Sequence, residues 1–318
     1  MQSELLHRMR HCKILPAIPV LALKILELCQ DPKAHATKLA DLIGHDPAFA
    51  AKLLNLANSG LYARIPHRVT SLSQAVTLLG TNAVAILAFS FSLYRHLNRV
   101  GKGGFDHPQF WRRSILASVA GRSLAKWANL ADCEVVFLGA LLQDIGMLVL
   151  SVTLTDAYHN LIVEANRCHD RLQELEHERF SADHAEVGTW LAEQWQLPDG
   201  FQAAIRGSHN PGCIEGSPEL RPMVHCVALS GWVADIWCDP ETEKSAREAA
   251  TAASTLLGIE GEALDTILTD VAEGVPPVSD LFEIDLGTPE EIRGRLQTAK
   301  DVLLTTTPQD TTQSIQGS

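Results

Sequence analysis

The chain has 318 residues and a formal net charge of -12, with 38 acidic residues against 26 lysines and arginines. This acidic balance argues against a protein that coats nucleic acid or an anionic membrane, because both of those partners need a basic face. Hydrophobic residues make up 46% of the chain and charged residues 20%, which is ordinary for a globular protein with a sizeable core. The length allows one large domain or two modest ones.

The cysteines and the most apolar window both favour a cytoplasmic protein. The seven cysteines are scattered and form no C-x-x-C pair, which is typical of free thiols in a reducing compartment. Residues 1–13 are polar and basic and predict no signal peptide. The window 135–154 is apolar, but Gln143 and Asp144 interrupt it in the middle. We therefore expect a core helix there and no membrane insertion.

Helical periodicity begins near the N-terminus. An apolar stripe predicts a helix over 20–29, and a short second helix follows over 38–43. The dipeptide His45-Asp46 looks like a pair of metal ligands. However, Asp46 is followed by proline and suits the N-cap of the next helix, so we interpret it as a cap.

The middle of the chain continues the helical pattern, with almost no alternation of polar and apolar residues. Ser71 and Gln74 form a capping-box pattern, and a long apolar helix follows over 82–96. Further helices are predicted in "FWRRSILASVAGRSLAKWA", "FLGALLQDIGMLVL", "SADHAEVGTWLAEQW" and "FQAAIRGSHNP", and 223–237 is apolar throughout. Together these patterns predict an all-α fold.

A change of composition after residue 237 predicts a junction. Beyond it, amphipathic helices are expected over 242–258, 261–273 and 288–305. The tail over 306–318 is nearly free of apolar residues and is expected to be disordered.

A single acid in the apolar stretch "FLGALLQDIGMLVL" needs an explanation. Burying the Asp144 carboxylate is unfavourable unless a metal, a cation or hydrogen bonds receive it. A helix-borne His-Asp pair followed by Ile-Gly is a known way to hold a metal. The string "LLQDIG" has that shape, with Gln143 in the histidine position.

This motif and several others, in order, resemble the HDOD domain, the HD-related output domain of bacterial signalling proteins. The resemblance implies an HD-like multi-helix domain over 14–237, preceded by a segment over 1–13 and followed by a smaller helical appendage over 238–305. It also implies descent from the HD and HD-GYP metal-dependent phosphohydrolases. The matching stretches, over residues 14–215, are "LPAIPVLALKILEL", "IGHDPAFAAKLLNLANSGLY", "SLSQAVTLLG", "FWRRSILAS", "FLGALLQDIGMLVL", "DHAEVGTWLAEQWQLP" and "IRGSHNP".

The ligand positions that the resemblance implies are only partly kept. Asp144, His184 and His209 match their positions and are weak candidates for metal ligands. The other two histidine positions fall on Arg113 and Gln143, which we treat as degenerate or anion-binding positions. A glutamine amide is a poor ligand for a transition metal, and an arginine opposes a bound cation.

The last aspartate of the implied ligand set is also missing from its expected position. It would fall near Leu229 or Ser230, whereas the first acid of that helix is Asp235. A tight hydrolytic metal centre is therefore not expected, and we predict no cofactor, with a divalent metal as the alternative. Instead, Arg113 or another cation is expected to form an ion pair with Asp144.

The eroded ligand set and the resemblance predict a non-catalytic signalling or regulatory module that acts through protein partners, with its oligomeric state left open. One alternative is a residual metal-dependent phosphohydrolase acting on nucleotides or phosphodiesters. It would use Asp144, His184 and His209 with a further ligand such as His225. The other alternative is a sensor of phosphate or nucleotide, in which Arg113 and its neighbour Arg112 face the old pocket.

Overall fold

The computed structural model describes residues 3–20, 22, 24–25, 36–59, 68–98, 104–214 and 217–305. Within these ranges the secondary structure is helical and contains no β-strand, which confirms the predicted all-α fold. The expected tail over 306–318 and most of the helix expected over 20–29 lie outside the described residues. In chain order the helices are α1 (Ser3–His11), α2 (Ala36–Gly44), α3 (Pro47–Ala57), α4 (Leu72–Leu79), α5 (Thr81–Leu97), α6 (His107–Trp127), α7 (Cys133–Leu142), α8 (Gly146–Leu154), α9 (Asp156–Ala165), α10 (His169–Phe180), α11 (His184–Gln194), α12 (Asp199–Arg206), a 3-10 helix (Pro211–Ile214), α13 (Arg221–Cys238), α14 (Thr242–Leu257), α15 (Gly261–Phe282) and α16 (Pro289–Thr305).

Two predicted helix starts are confirmed. The Asp46 carboxylate accepts hydrogen bonds from the backbone nitrogens of Ala48 and Phe49, at 3.1 and 3.0 Å, and so caps α3. Ser71 and Gln74 form both reciprocal bonds of a capping box at the start of α4. Such caps depend on side chains within four residues of one another, which is why the sequence alone predicts them.

The apolar segment around Asp144 lies inside the protein, as expected. Of the described helical segments, Cys133–Leu154 is long and apolar enough to cross a membrane, but 89% of its apolar window is buried in the fold. The expectation of one regular helix is wrong at 143–145. There the backbone of Ile145 donates to Leu142 and that of Met147 to Asp144, in the tighter i to i-3 pattern. The regular α-helical hydrogen bonding is therefore interrupted around Asp144.

The helices after residue 238 pack on the same core as the rest of the described chain. The indole nitrogen of Trp237 donates to the carbonyl of Ile292 at 3.2 Å, and Phe282 packs against Tyr94 and Phe91. The division into a main domain and an appendage stays a prediction, because a shared core is compatible with either description.

The second of these C-terminal helices is longer than expected. We predicted its end at 273, but α15 continues through Pro276 and Pro277 to Phe282. Proline removes a backbone donor and normally ends a helix. Here the apolar side chains of Val278 and Phe282 are buried, and this packing holds the last turns in helical form.

Candidate functional site

Four side chains converge where the α7–α8 break, the first turns of α10 and α11, and the turn after α12 meet. They are Asp144, His169, His184 and His209, and each offers one ligand atom to the same small volume. The Nε2 atoms of the three histidines lie 3.4, 3.5 and 3.7 Å from Asp144 Oδ1, in the order of their numbers. His209 Nε2 lies 3.4 Å from His169 Nε2 and 2.7 Å from His184 Nε2.

A buried carboxylate orients the central histidine of this cluster. Glu176 is fully buried, and its Oε2 accepts hydrogen bonds from the backbone nitrogen of His184 at 2.8 Å and from Nδ1 of the same residue at 2.6 Å. Its other oxygen accepts a hydrogen bond from the Tyr158 hydroxyl at 2.6 Å. The imidazole of His184 is thereby held with Nδ1 toward Glu176 and Nε2 toward the cluster.

An arginine occupies the opposite side of Asp144. Nη1 of Arg113, on α6, donates to Asp144 Oδ2, which confirms the ion pair expected from the sequence. The same guanidinium bonds both oxygens of Asp235 on α13, from Nε at 2.7 Å and from Nη2 at 3.0 Å. All three side chains are at least 90% buried. The arginine therefore places one positive charge between two carboxylates that would otherwise repel each other.

The buried charges shift the pKa values of the cluster. Burial alone would raise the pKa of Asp144, but the Arg113 guanidinium and then His169 hold it well below its usual range. Burial alone would lower the pKa of His184, because it disfavours the charged imidazolium. The nearby carboxylates of Glu176 and Asp144 have the larger, opposite effect and raise the pKa of His184 to about 10. Burial and the neighbouring imidazoles lower the pKa of His209 to about 4, against the opposing effect of Asp144. The surroundings of His184 and His209 therefore shift the two pKa values in opposite directions.

A glycine beside the aspartate lets the helices approach closely. A Cβ atom on Gly146 would lie 2.0 Å from the carbonyl oxygen of His184 and 2.6 Å from the backbone nitrogen of Gly188. Only glycine fits such a contact between the start of α8 and α11. The "DIG" part of the motif thus brings Asp144 and His184 together.

Gln143 lies beside the cluster and not in it. Its amide nitrogen donates to the carbonyl of Ala140 at 3.1 Å, and its Oε1 is buried with no hydrogen-bond partner among the described residues. A Cβ on Gly231 would lie 3.1 Å from this oxygen and 3.1 Å from Arg113 Nη2. Gln143 therefore packs near Arg113 on the side of α13.

The structure brings together the three predicted ligand candidates and adds two residues that sequence reasoning missed. His169 joins Asp144, His184 and His209, and Asp235 joins Arg113. His225, suggested above as a further ligand, is not in the cluster, and its Nδ1 lies 2.8 Å from the carbonyl of Leu256.

A cavity of about 370 Å³ opens beside the site. Arg113, Asp144, His169 and Asp235 contribute to its wall, and Asp239 adds a further carboxylate. Much of the remaining wall is apolar, from Phe105, Phe110, Met147, Ile162, Val163 and Leu172. Its size and its largely apolar wall are those of a small-molecule pocket.

The cluster fits a four-coordinate metal ion but not the full ligand set that the resemblance implies. Asp144 Oδ1 is buried and has no hydrogen-bond donor among the described residues, so it is available to a cation. Three imidazole nitrogens and one carboxylate oxygen are donors that zinc and related ions accept. A metal held there would fix the positions of Asp144, His169, His184 and His209 relative to one another. Arg113 occupies the remaining part of the implied site.

Comparisons with known proteins agree with the fold. The chain shares 26% identity over 232 residues with an uncharacterised protein of Treponema pallidum (strain Nichols), covering 68% of this chain and 41% of that protein. It therefore spans about two fifths of the length of that relative.

Solved structures show the same architecture at low sequence identity. An HDOD domain protein of unknown function from Geobacter sulfurreducens superposes with a TM-score of 0.68 at 21% identity, covering 87% of this chain and 97% of the other. A candidate phosphohydrolase from Shewanella amazonensis SB2B gives 0.65 at 22% identity, covering 88% and 98%. A candidate signal transduction protein from Marinobacter aquaeolei VT8 gives 0.55 at 20% identity, covering 93% and 65%.

The family assignment rests on the sequence match together with this fold. The HDOD domain matches residues 15–211, which is more than half of the chain. The motifs quoted above lie within or overlap that range, and the helices described here form the corresponding all-α fold. The chain belongs to the HDOD domain family.

Proposed function

We propose that this chain is a signalling or regulatory module without hydrolytic activity, which acts through protein contacts on its helical surface. The observation that carries the proposal is the guanidinium of Arg113 between Asp144 and Asp235. In a hydrolytic centre these acids would be free to hold metal ions. Here a permanent cation of the chain already binds both of them, and it repels a divalent ion at that position.

The remaining ligand atoms also disfavour hydrolysis. A catalytic metal keeps an open coordination position for water or substrate, whereas four protein ligands close a tetrahedral site. Asp144, His169, His184 and His209 together supply four ligand atoms. An ion held by all of them has no position left at which to activate water. The family to which the chain belongs and the candidate signalling protein that shares its fold support a role in signal transduction.

A turnover assay tests the lack of hydrolysis. Purified protein incubated in turn with zinc, manganese, iron or nickel is expected to hydrolyse neither a generic phosphodiester nor a phosphomonoester. The matched variants are Arg113→His with Gln143→His, which restore both lost histidine positions, and Asp144→Asn. Turnover by the wild-type protein that disappears in Asp144→Asn would overturn the proposal and support the residual phosphohydrolase.

The proposed binding to a protein partner needs a separate measurement. Affinity capture from the native host, followed by binding measurements with the purified partner, is expected to give a defined complex. Substitutions on the exposed helix faces should weaken that complex, whereas Asp144→Asn should leave the contact surface unchanged. Partners that bind equally well to every surface variant would contradict a surface-mediated role.

The cavity favours a sensor of a small molecule as a second candidate. Three donors of Arg113 already bind carboxylate oxygens, and Asp235 and Asp239 add negative charge to the wall. The cavity therefore suits an uncharged or apolar part of a small molecule better than a phosphate group, because its arginine is already paired and its carboxylates repel an anion. Calorimetry against a panel of nucleotides is the test, and heat of binding from any of them would support the nucleotide sensor over our first choice.

A further inference from the structure

Most of the measured distances in the ligand cluster match those of a tetrahedral metal site. With metal–ligand bonds of about 2.0–2.2 Å, the ligand atoms of a tetrahedron lie about 3.3–3.6 Å apart. Four of the distances between ligand atoms, from Asp144 to each histidine and from His169 to His209, are 3.4, 3.5, 3.7 and 3.4 Å. The 2.7 Å contact between His184 and His209 is shorter, and two facing imidazole nitrogens at that distance need a proton or a cation between them.

The surroundings prepare these atoms for a cation. Glu176 fixes the ring of His184, in the way that a carboxylate holds the outer nitrogen of a metal-bound imidazole. Arg113 occupies only Oδ2 of Asp144 and leaves Oδ1 pointing at the histidines. Asp144 Oδ1 makes no hydrogen bond within the described residues, and burying such an acceptor costs less free energy when a ligand completes it.

We propose that Asp144, His169, His184 and His209 bind one divalent ion of the zinc class in a closed, four-coordinate structural site. His169 is the new member, because it matches no ligand position that the family resemblance implies. The ion would join the α7–α8 break to α10, α11 and the turn after α12 through one ligand from each. The inference does not depend on the signalling role, and a closed site is consistent with the absence of hydrolysis.

Metal content and cobalt spectroscopy test the site without any activity assay. The wild-type protein, purified and dialysed with zinc, is expected to retain about one ion per chain. Replacement by cobalt should give the intense visible absorption of four-coordinate Co²⁺. Chelation should lower the melting temperature, because an ion that binds only the folded state stabilises it. Failure to retain zinc, or the weak spectrum of six-coordinate cobalt, would overturn the proposal.

Two variants and a matched control assign the ligands. His169→Ala should weaken zinc binding by more than the roughly 10–100-fold expected for Glu176→Gln, which removes only an outer partner. His45→Ala replaces an exposed histidine outside the cluster and should bind like wild type. If His169→Ala does not fold, His169→Gln with circular dichroism and a cobalt titration replaces it. Wild-type zinc affinity in a folded His169 variant would overturn the four-ligand site.

Discussion

The two oxygens of the buried Asp144 carboxylate have different surroundings, and each compensates the cost of burying its negative charge in a different way. On one side, which we call the arginine half, Oδ2 binds Arg113, and Arg113 binds Asp235. On the other side, the histidine half, Oδ1 faces the Nε2 atoms of His169, His184 and His209.

The difference lies in where the compensating cation comes from. In the arginine half it belongs to the chain, is always charged and is bonded to both acids. In the histidine half the compensation can be supplied by a proton or by an ion from solution. A buried carboxylate can thus bind an arginine of its own chain through one oxygen and keep the other oxygen for a ligand. Separate substitutions can therefore disrupt the arginine half and the histidine half.

The largest effect is expected from breaking the arginine half. Arg113→Ala leaves Asp144 and Asp235 buried without their cation, which should lower the free energy of unfolding by roughly 3–5 kcal/mol. Chemical denaturation measures the loss. The control is Arg95→Ala, because Arg95 forms an exposed ion pair with Asp46. Losing that pair should lower the free energy of unfolding by at most about 1 kcal/mol. Equal losses in the two variants would show that the buried pair has no special role.

The next largest effect is expected at the close contact between α8 and α11, which places His184 in the histidine half. Gly146→Ala would place a Cβ 2.0 Å from the carbonyl oxygen of His184, so the backbone of α8 or α11 must shift. Overpacking of this kind should lower the free energy of unfolding by about 3 kcal/mol and displace His184 from the cluster. In Gly294→Ala, on α16, the new Cβ meets no atom within 4 Å. That control should be neutral or gain up to about 1 kcal/mol, and thermal melts of both variants decide the comparison.

A smaller effect should follow from removing one hydrogen bond behind the histidines. Tyr158→Phe deletes the buried hydroxyl that donates to Glu176 at 2.6 Å, and should lower the free energy of unfolding by about 2 kcal/mol. Tyr94→Phe is the control, because the oxygen of Tyr94 contacts only the exposed amide of Asn98 at 3.3 Å among the hydrogen bonds described for it. If denaturation curves of the two variants coincide, the Glu176 network does not support the histidine half.

Features that depend on neighbouring residues could be predicted from the sequence. The N-cap at Asp46 and the capping box at Ser71 each involve atoms no more than four residues apart, and both are present. The Arg113–Asp144 pair followed from a different argument, namely that a carboxylate in an apolar helix needs a cation and that the resemblance placed an arginine nearby.

The residues that were missed depend on the tertiary fold. His169 lies 40 residues before His209 at the start of α10, and no local pattern in the sequence relates it to the cluster. Asp235 lies one turn beyond Gly231, past the expected position of the last aspartate. Only the length of the Arg113 side chain and the packing of α6 against α13 bring it into the site.

The smallest predicted effect concerns the pH dependence of stability at the edge of the arginine half. Burial and the nearby Asp235 raise the pKa of Asp239 to about 7, against about 3.9 for an unfolded aspartate. Between these values the folded protein holds a proton that the unfolded chain releases, so stability falls as the pH rises.

Asp239→Asn should remove this dependence. Its melting temperature should rise relative to wild type as the pH increases from about 4 to about 7, with a constant difference above that. Melts at pH 5 and pH 8 measure the change, and Asp41→Asn, at an exposed position on α2, is the matched control. A difference between Asp239→Asn and wild type that is the same at both pH values would mean that Asp239 ionises in the folded protein as it does in the unfolded chain. The negative charge beside Arg113 would then be larger at neutral pH than we infer, and the arginine half would hold a third charged carboxylate.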